Sequence, residues 1–285
     1  MKVLAPMIGT LVLVLALEIA AEAAILTVCS KGCAHTTIQA AVDDALDGDT
    51  ILIRPGRYLE QVAIDSKSLT LHGAGPFSTI VDAHRAGRAF SITGEFGVTH
   101  VTLAGLAITG GHTNDIGGGI ACSTADLTLV EVVVARNVTA GLGGGIYTNC
   151  PETTLHRVFV ADNSAEGAGA FDGGGGIFAV SGVVLTVTES VITGNHAVTD
   201  GGGILGREVS IALSDSLVLS NHARRFGGGL FIDAAGIELT DTVVAKNRAD
   251  QDGGGLFGRD ATVSQLGRTR FIHNRPDDLV CAPCE

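Results

Sequence analysis

Apolar and polar residues alternate along this chain in short runs. VEVVVARN (Val130 to Asn137) and TDTVVAKN (Thr240 to Asn247) are typical: a few β-branched residues, a polar interruption, then asparagine. No helix-length apolar stripe runs through these segments, so short strands at regular spacing are predicted. The runs recur in step. Three glycines followed by Ile or Leu begin at Gly117, Gly143, Gly174, Gly201, Gly227 and Gly253, at intervals of 26 to 31 residues. Asparagines at Asn137, Asn163, Asn195, Asn221, Asn247 and Asn274 keep the same beat, and Gly111 takes the place one repeat earlier. The longer interval, Gly143 to Gly174 and Asn163 to Asn195, predicts an insertion, either within residues 166–173 or at Ser181-Gly182.

A repeat of about 26 residues fits three short strands and three bends, the coil of a parallel β-helix in which each turn stacks on the last at roughly 4.8 Å. Every repeat position then becomes a column along the protein. The asparagines are predicted to be structural: asparagine tolerates left-handed backbone, and its amide can bond to the asparagines above and below. Glycine at a tight corner permits positive φ and close backbone approach. Upstream, TTIQAAVDDALDGD places Ile38, Val42, Ala45 and Leu46 on one helical face, after a threonine cap and before Gly48. A capping helix over 36–48 is expected to cover the open end of the solenoid.

Glycine, at 40 of 285 residues, reflects these corners, and a hydrophobic content of 46% is enough for a continuous core. The formal charge of -12 argues against nucleic acid and anionic membranes as partners, and against passive electrostatic capture of acidic polysaccharide by the surface as a whole. Residues 1–23 read as a secretory signal, with Lys2, an apolar stretch around Ile8 to Leu17 and Ala21-Glu22-Ala23 as the cleavage site. No later segment reads as transmembrane. An exported chain with six cysteines implies disulfides. The candidate bridges are Cys29–Cys33, Cys122–Cys150, which lie on adjacent coils two residues out of register, and Cys281–Cys284. The expected organisation is one domain over 24–285, with regular repeats over 101–274 and a C-terminal cap over 275–285.

Residues 37–60, TIQAAVDDALDGDTILIRPGRYLE, resemble the opening segment of pectin-lyase-like β-helix proteins. Residues 101–274 resemble polymorphic outer membrane protein repeats, which combine a GGA-I-type motif with FxxN. Here the latter stands as Phe271-Ile272-His273-Asn274, and as Val or Ile-x-x-Asn elsewhere. The resemblance implies a single-stranded, right-handed parallel β-helix of bacterial origin at the cell surface, in the periplasm or outside the cell. It implies no activity by itself, because the fold carries lyases, hydrolases, esterases and adhesins. The pectinesterase-like GNVDFIFG and the polygalacturonase-like NTD, DD, GHG and RIK segments are absent, and a pectate-lyase-like WIDH is impossible without tryptophan.

Three columns are candidate chemistry. Six residues before each asparagine stand Glu131, Arg157, Glu189, Asp215, Asp241 and Arg268. If stacked, Glu189, Asp215 and Asp241 form a carboxylate row about 5 Å apart, suited to a calcium-assisted lyase or a carboxylate-based hydrolase, with Arg268 the nearby base candidate. The competing reading is a bend where Asp caps backbone N–H groups. After the glycines stand Ala121, Tyr147, Phe178, Leu205, Phe231 and Phe257, each preceded by Ile or Leu. Adjacent strand residues face opposite ways, so one stripe is expected outside. An exposed column of Tyr147, Phe178, Phe231 and Phe257 would stack on sugar rings or dock a protein; the alternative is an interior phenylalanine stack with the isoleucines turned outward. A similar doubling sets Val133, Phe159, Val191, Leu217 and Val243 beside inward-type Val134, Val160, Ile192, Val218 and Val244. Asp172 and Asp200 precede glycine runs and are a weak calcium pair, with turn capping as the alternative. His196 and His222 share a column on a solvated face. The leading functional reading is a non-catalytic secreted or surface-associated protein that binds glycan or protein, or serves the envelope, with no cofactor. The alternative is a polysaccharide lyase or hydrolase, with calcium possible.

Overall fold

The repeat winds as predicted. The computed structural model describes residues 23–169 and 172–284, the last three of these by backbone only; nearly all of the expected signal segment lies outside the described residues. A representative coil runs Ile204–Arg207, Ser210–Ser214, Leu217–Leu219 and His222–Ala223. These strands belong to four parallel ladders, here numbered first to fourth in coil order. Register is strict: Ile204 lies against Leu230, Ile211 against Ile237, Val218 against Val244 and His222 against Arg248. The architecture is therefore an all-β parallel β-helix. Its first ladder already includes Val62–Asp65 and Phe90–Thr93, upstream of the regular repeats.

Alternation fills the tube. Ile120, Ile146, Ile177, Ile204, Leu230 and Leu256 all point inward and are fully buried, as are Val134, Val160, Val218 and Val244. The bends have a backbone cause. Glu131, Arg157, Glu189, Asp215 and Asp241 have φ of 48 to 54°, in the left-handed region. The polar column six residues before the asparagines is thus the corner between the second and third ladders. At the glycine corner Gly227 has a φ of 66°, and a Cβ on Gly228 would overlap the Arg248 carbonyl of the next coil.

The asparagine corner is a buried ladder. The Asn221 amide nitrogen donates to Ile192 O at 2.9 Å and to Asn247 Oδ1 at 3.0 Å, while the Asn221 backbone N–H donates to the same oxygen at 2.9 Å. The unit repeats from Asn137 to Asn247. It starts where Gly111 N–H donates to Asn137 Oδ1, and it ends where Asn274 donates to Asp278 Oδ1 at 2.8 Å, a carboxylate in place of the next amide.

Both predicted insertion sites are used. Thr148 pairs with Ala179 but Glu152 with Val184, so one extra residue sits at Ser181-Gly182, and the rest of the insertion lies in 166–173. The capping helix is shorter than expected, Ile38–Asp44, with Thr37 as N-cap. It stops before Gly48 because Ala45 turns extended (ψ 146°) and Asp49 accepts from the Leu46 N–H. Leu46, expected on the buried face, is 64% exposed. Cys29–Cys33 and Cys122–Cys150 are disulfides, each with Cα atoms 5.6 Å apart. Cys281 is disulfide-bonded, whereas the side chain of its expected partner Cys284 lies outside the described residues.

Candidate ligand-binding face

The outer face of the first ladder carries the densest chemistry. Tyr147 pairs with Phe178, Phe178 with Leu205, Leu205 with Phe231 and Phe231 with Phe257, in one outward column. Tyr147 and Phe178 stack with centroids 5.8 Å apart, and Phe231 and Phe257 with centroids 5.7 Å apart. The isoleucines keep the interior, so the inverted packing does not occur. The expected exposure also fails at the centre: Phe178 and Phe231 are only 1% exposed. Two coverings explain it. The loop before the glycines folds over the column, packing Phe226 against the cluster of Phe178, Leu205 and Phe231, with its ring centroid 4.7 Å from that of Phe257. Guanidinium groups lie above the rings, Arg207 over Phe178 at 5.9 Å and Arg259 over Phe231 at 5.6 Å, within cation–π range. Tyr147 and Phe257, at the ends of the column, remain partly accessible.

Strand alternation sets these arginines. Arg207, Asp233 and Arg259 lie two residues after Leu205, Phe231 and Phe257 on the same outward side, and they pair in register. Asp233 sits between two cations, accepting from Arg207 Nε at 3.0 Å and Arg259 Nε at 2.7 Å. The hydrogen bonds from Arg259, followed by those from Arg207, hold its carboxyl below the usual range against the opposing cost of burial. Asp200 lies in the adjacent loop, ion-paired to Arg225 at 3.1 Å and accepting from the Phe226 N–H at 3.2 Å. Burial dominates there and pushes its carboxyl up, although Arg225 and the Phe226 N–H oppose it. One face thus holds three arginines, two carboxylates of opposed acidity and a row of aromatic rings. Arg259 is the half-exposed member, with 50% of its side chain accessible. Arg207, Arg225, Asp233 and Arg259 were not singled out in the sequence, though three of them keep a 26-residue spacing that was legible there.

The carboxylate row is a different place. Glu189, Asp215 and Asp241 do stack, but as left-handed corner residues with solvent-facing side chains. Arg268 is not in their column; Gly267 (φ 62°) occupies the corner, because the last coil carries one extra residue. Arg268 still reaches Asp241, its backbone N–H at 2.8 Å and Nε at 3.2 Å from Oδ1, and these bonds lower the Asp241 carboxyl. Held this way, Arg268 is an ion-pair partner of Asp241. Asp172 and Asp200 are not aligned either. Gly173, rather than Asp172, pairs with Asp200, and Asp172 accepts from the Gly169 N–H at 2.6 Å. Among the described residues, no group of three His, Cys, Asp or Glu side chains is arranged to hold a metal ion. His196 and His222 lie with ring centroids 5.0 Å apart and planes tilted by 36°, and His222 Nε2 lies 3.0 Å from Asp250.

No protein-family model and no curated protein sequence matches the chain. Among solved structures it is similar to pectate lyase Pel9A, with a TM-score of 0.57 and 14% identity over 94% of this chain and 78% of that one. Weaker similarities are to a pectin methylesterase from Aspergillus niger (TM-score 0.41, 13% identity, 88% of this chain and 86% of that one) and to one from carrot (TM-score 0.43, 12% identity, 88% and 84%). The Pel9A similarity supports the pectin-lyase-like parallel β-helix, and at that identity it speaks to fold alone.

Proposed function

We propose that the chain is an exported, non-catalytic glycan-binding β-helix protein that takes a saccharide chain along the outer face of its first ladder. One observation carries the reading: an aromatic column, covered at its centre but partly accessible at its two ends, Tyr147 and Phe257, lies beside the half-exposed guanidinium of Arg259 on the outer side of the first ladder. Flat rings with a few fixed polar groups suit sugars, whose apolar faces stack while their hydroxyls bond. Disulfides fit an oxidising compartment, and the polymorphic outer membrane protein-like repeat supports a surface or extracellular setting.

A second reading, a polysaccharide lyase or hydrolase, draws on one specific pair. Asp200 and Asp233 share a cluster while their acidities are pushed apart, the pattern of an acid and its partner. Asp200 is only 3% exposed, which places it beneath the surface a polymer would touch and favours binding over chemistry. The test is a panel of neutral and acidic polysaccharides, each with calcium or with chelator, scored for retention and for chain cleavage. Retention without cleavage, weakened in Arg259→Ala and Tyr147→Ala, is the expected result. Calcium-dependent products that disappear in Asp200→Asn and in Asp233→Asn would replace this reading with the enzymatic one.

A further inference from the structure

The asparagine corner has two outward flanks. The residues just before each asparagine are Arg136, Asp162, Gly194, Ser220, Lys246 and His273, and each has left-handed backbone. On the other flank, His196 pairs with His222, His222 with Arg248 and Arg248 with Arg275. Toward the C-terminal end both flanks gather basic residues. Lys246-Asn247-Arg248 lies over His273-Asn274-Arg275, and these six residues line a cleft of about 430 Å³.

This is a local violation of good packing. Like charges at strand spacing repel, and a chain of net charge -12 has acidic residues in plenty to intersperse. The acid that does reach the group is Asp250, 3.0 Å from Arg248 Nη2 and 3.0 Å from His222 Nε2. The side chains of Lys246, His273 and Arg275 make no hydrogen bond or ion pair among the described residues. The other end of the same corner also gathers arginines, Arg57, Arg85 and Arg136, but there Arg57 donates from Nε and Nη2 to Oδ2 of the buried Asp82 carboxylate. At the C-terminal end the acid that reaches the group of Lys246, Arg248 and Arg275 is Asp250, which lies at the surface and is shared with His222.

We propose that this C-terminal corner is a binding site for a densely charged polyanionic glycan, with sulfate esters as the group that fills the paired cations. Guanidinium groups fork oxyanions through two parallel N–H bonds. Arginines in register offer that fork at a repeat of about 4.8 Å along the solenoid axis, so the ligand lies along the axis past His222, Arg248 and Arg275. A chain with one carboxylate per sugar leaves part of this positive charge uncompensated, whereas sulfate esters at several positions match it. The site is separate from the first-ladder face, and it does not depend on that face binding anything.

The experiment is calorimetric titration of the full chain with a sulfated oligosaccharide at low ionic strength. Its desulfated counterpart, an oligogalacturonate and a single-stranded oligonucleotide of similar charge are titrated in parallel. The expected result is binding of the sulfated chain that weakens with added salt and falls by about tenfold for each arginine removed in Arg248→Gln and Arg275→Gln, with melting temperature unchanged. Lys246→Gln, equally exposed, provides an independent variant and is expected to weaken binding as well. Unchanged affinity in Arg248→Gln/Arg275→Gln, equal affinity for the desulfated chain or the oligogalacturonate, or tighter binding of the oligonucleotide would overturn the proposal. So would loss of sulfated-chain affinity in Arg259→Ala, because it would place the anion on the first-ladder face.

Discussion

The first and third ladders carry the same sequence device with opposite outcomes. Each sets an outward apolar column beside an inward one: Leu205 beside Ile204, Leu217 beside Val218. On the first ladder the outward side chains are buried, Leu205 at 0% and Phe231 at 1% exposure. On the third they face solvent, Phe159 at 41% and Leu217 at 37%. Strand geometry is not the cause, since both ladders alternate in strict register. Neighbouring chain decides. The first ladder follows the loop and glycine corner, whose residues fold back over the aromatic column, and its next outward position supplies Arg207, Asp233 and Arg259 as a second cover. The third ladder is three residues wide between two left-handed corners, and no long loop adjoins it. An outward apolar residue on a solenoid is thus core or surface according to loop length one corner away.

The sharpest way to break this comparison is to make one change on both faces. Phe231→Ser is expected to cost about 3–5 kcal/mol, because it empties a buried ring site and leaves a hydroxyl in it. Phe159→Ser is expected to stay within about 0.5 kcal/mol. Urea unfolding of the two variants decides it, and equal costs would mean that the covering is not a second core. Asp233→Asn comes next. It weakens two charge-assisted pairs at once and is expected to cost about 2 kcal/mol at pH 7. Its carboxyl is lower in the folded state than in the unfolded chain. The stability it contributes is therefore present above the unfolded value near 3.9 and lost as pH falls through the folded one. The gap between native and Asp233→Asn proteins should close in acid. Asp200 has the opposite sign. Burial raises its folded value, so it costs stability as pH rises from about 3.9 through that value, and Asp200→Asn should lose less at neutral pH than Asp233→Asn. Thermal melts from pH 3 to 7 compare the two. Smallest is Arg259→Ala, expected to cost under about 1 kcal/mol because half of the side chain is in water, while still weakening retention on glycan.

Much of this was legible before folding. The 26-residue beat gave the coil, and the six asparagines gave the buried amide ladder, because a repeated position in a solenoid is a column and a column of amides has a single satisfying arrangement. Cys122 and Cys150 were legible for the same reason: two residues out of register on adjacent coils is within bridging reach. The candidate site was read less well. The aromatic column was found, but its exposure was not, since the residues that cover it lie on the adjacent loop and on the same strand two positions later. The carboxylate row was real as a column, yet Arg268 fell out of it through a one-residue insertion that spacing to Asn274 alone does not locate.

By itself, the sequence determined periodicity, inward and outward alternation and the identity of the corners, because those depend on backbone sterics and on a repeat that every coil obeys. Only the tertiary structure decided which outward column is covered, where Asp233 finds two guanidinium partners and where Arg248 and Arg275 share a corner with Asp250 as the acid that reaches it. Those outcomes depend on side chains meeting from different coils and loops, and burial and electrostatic compensation are set by such meetings rather than by position in the repeat.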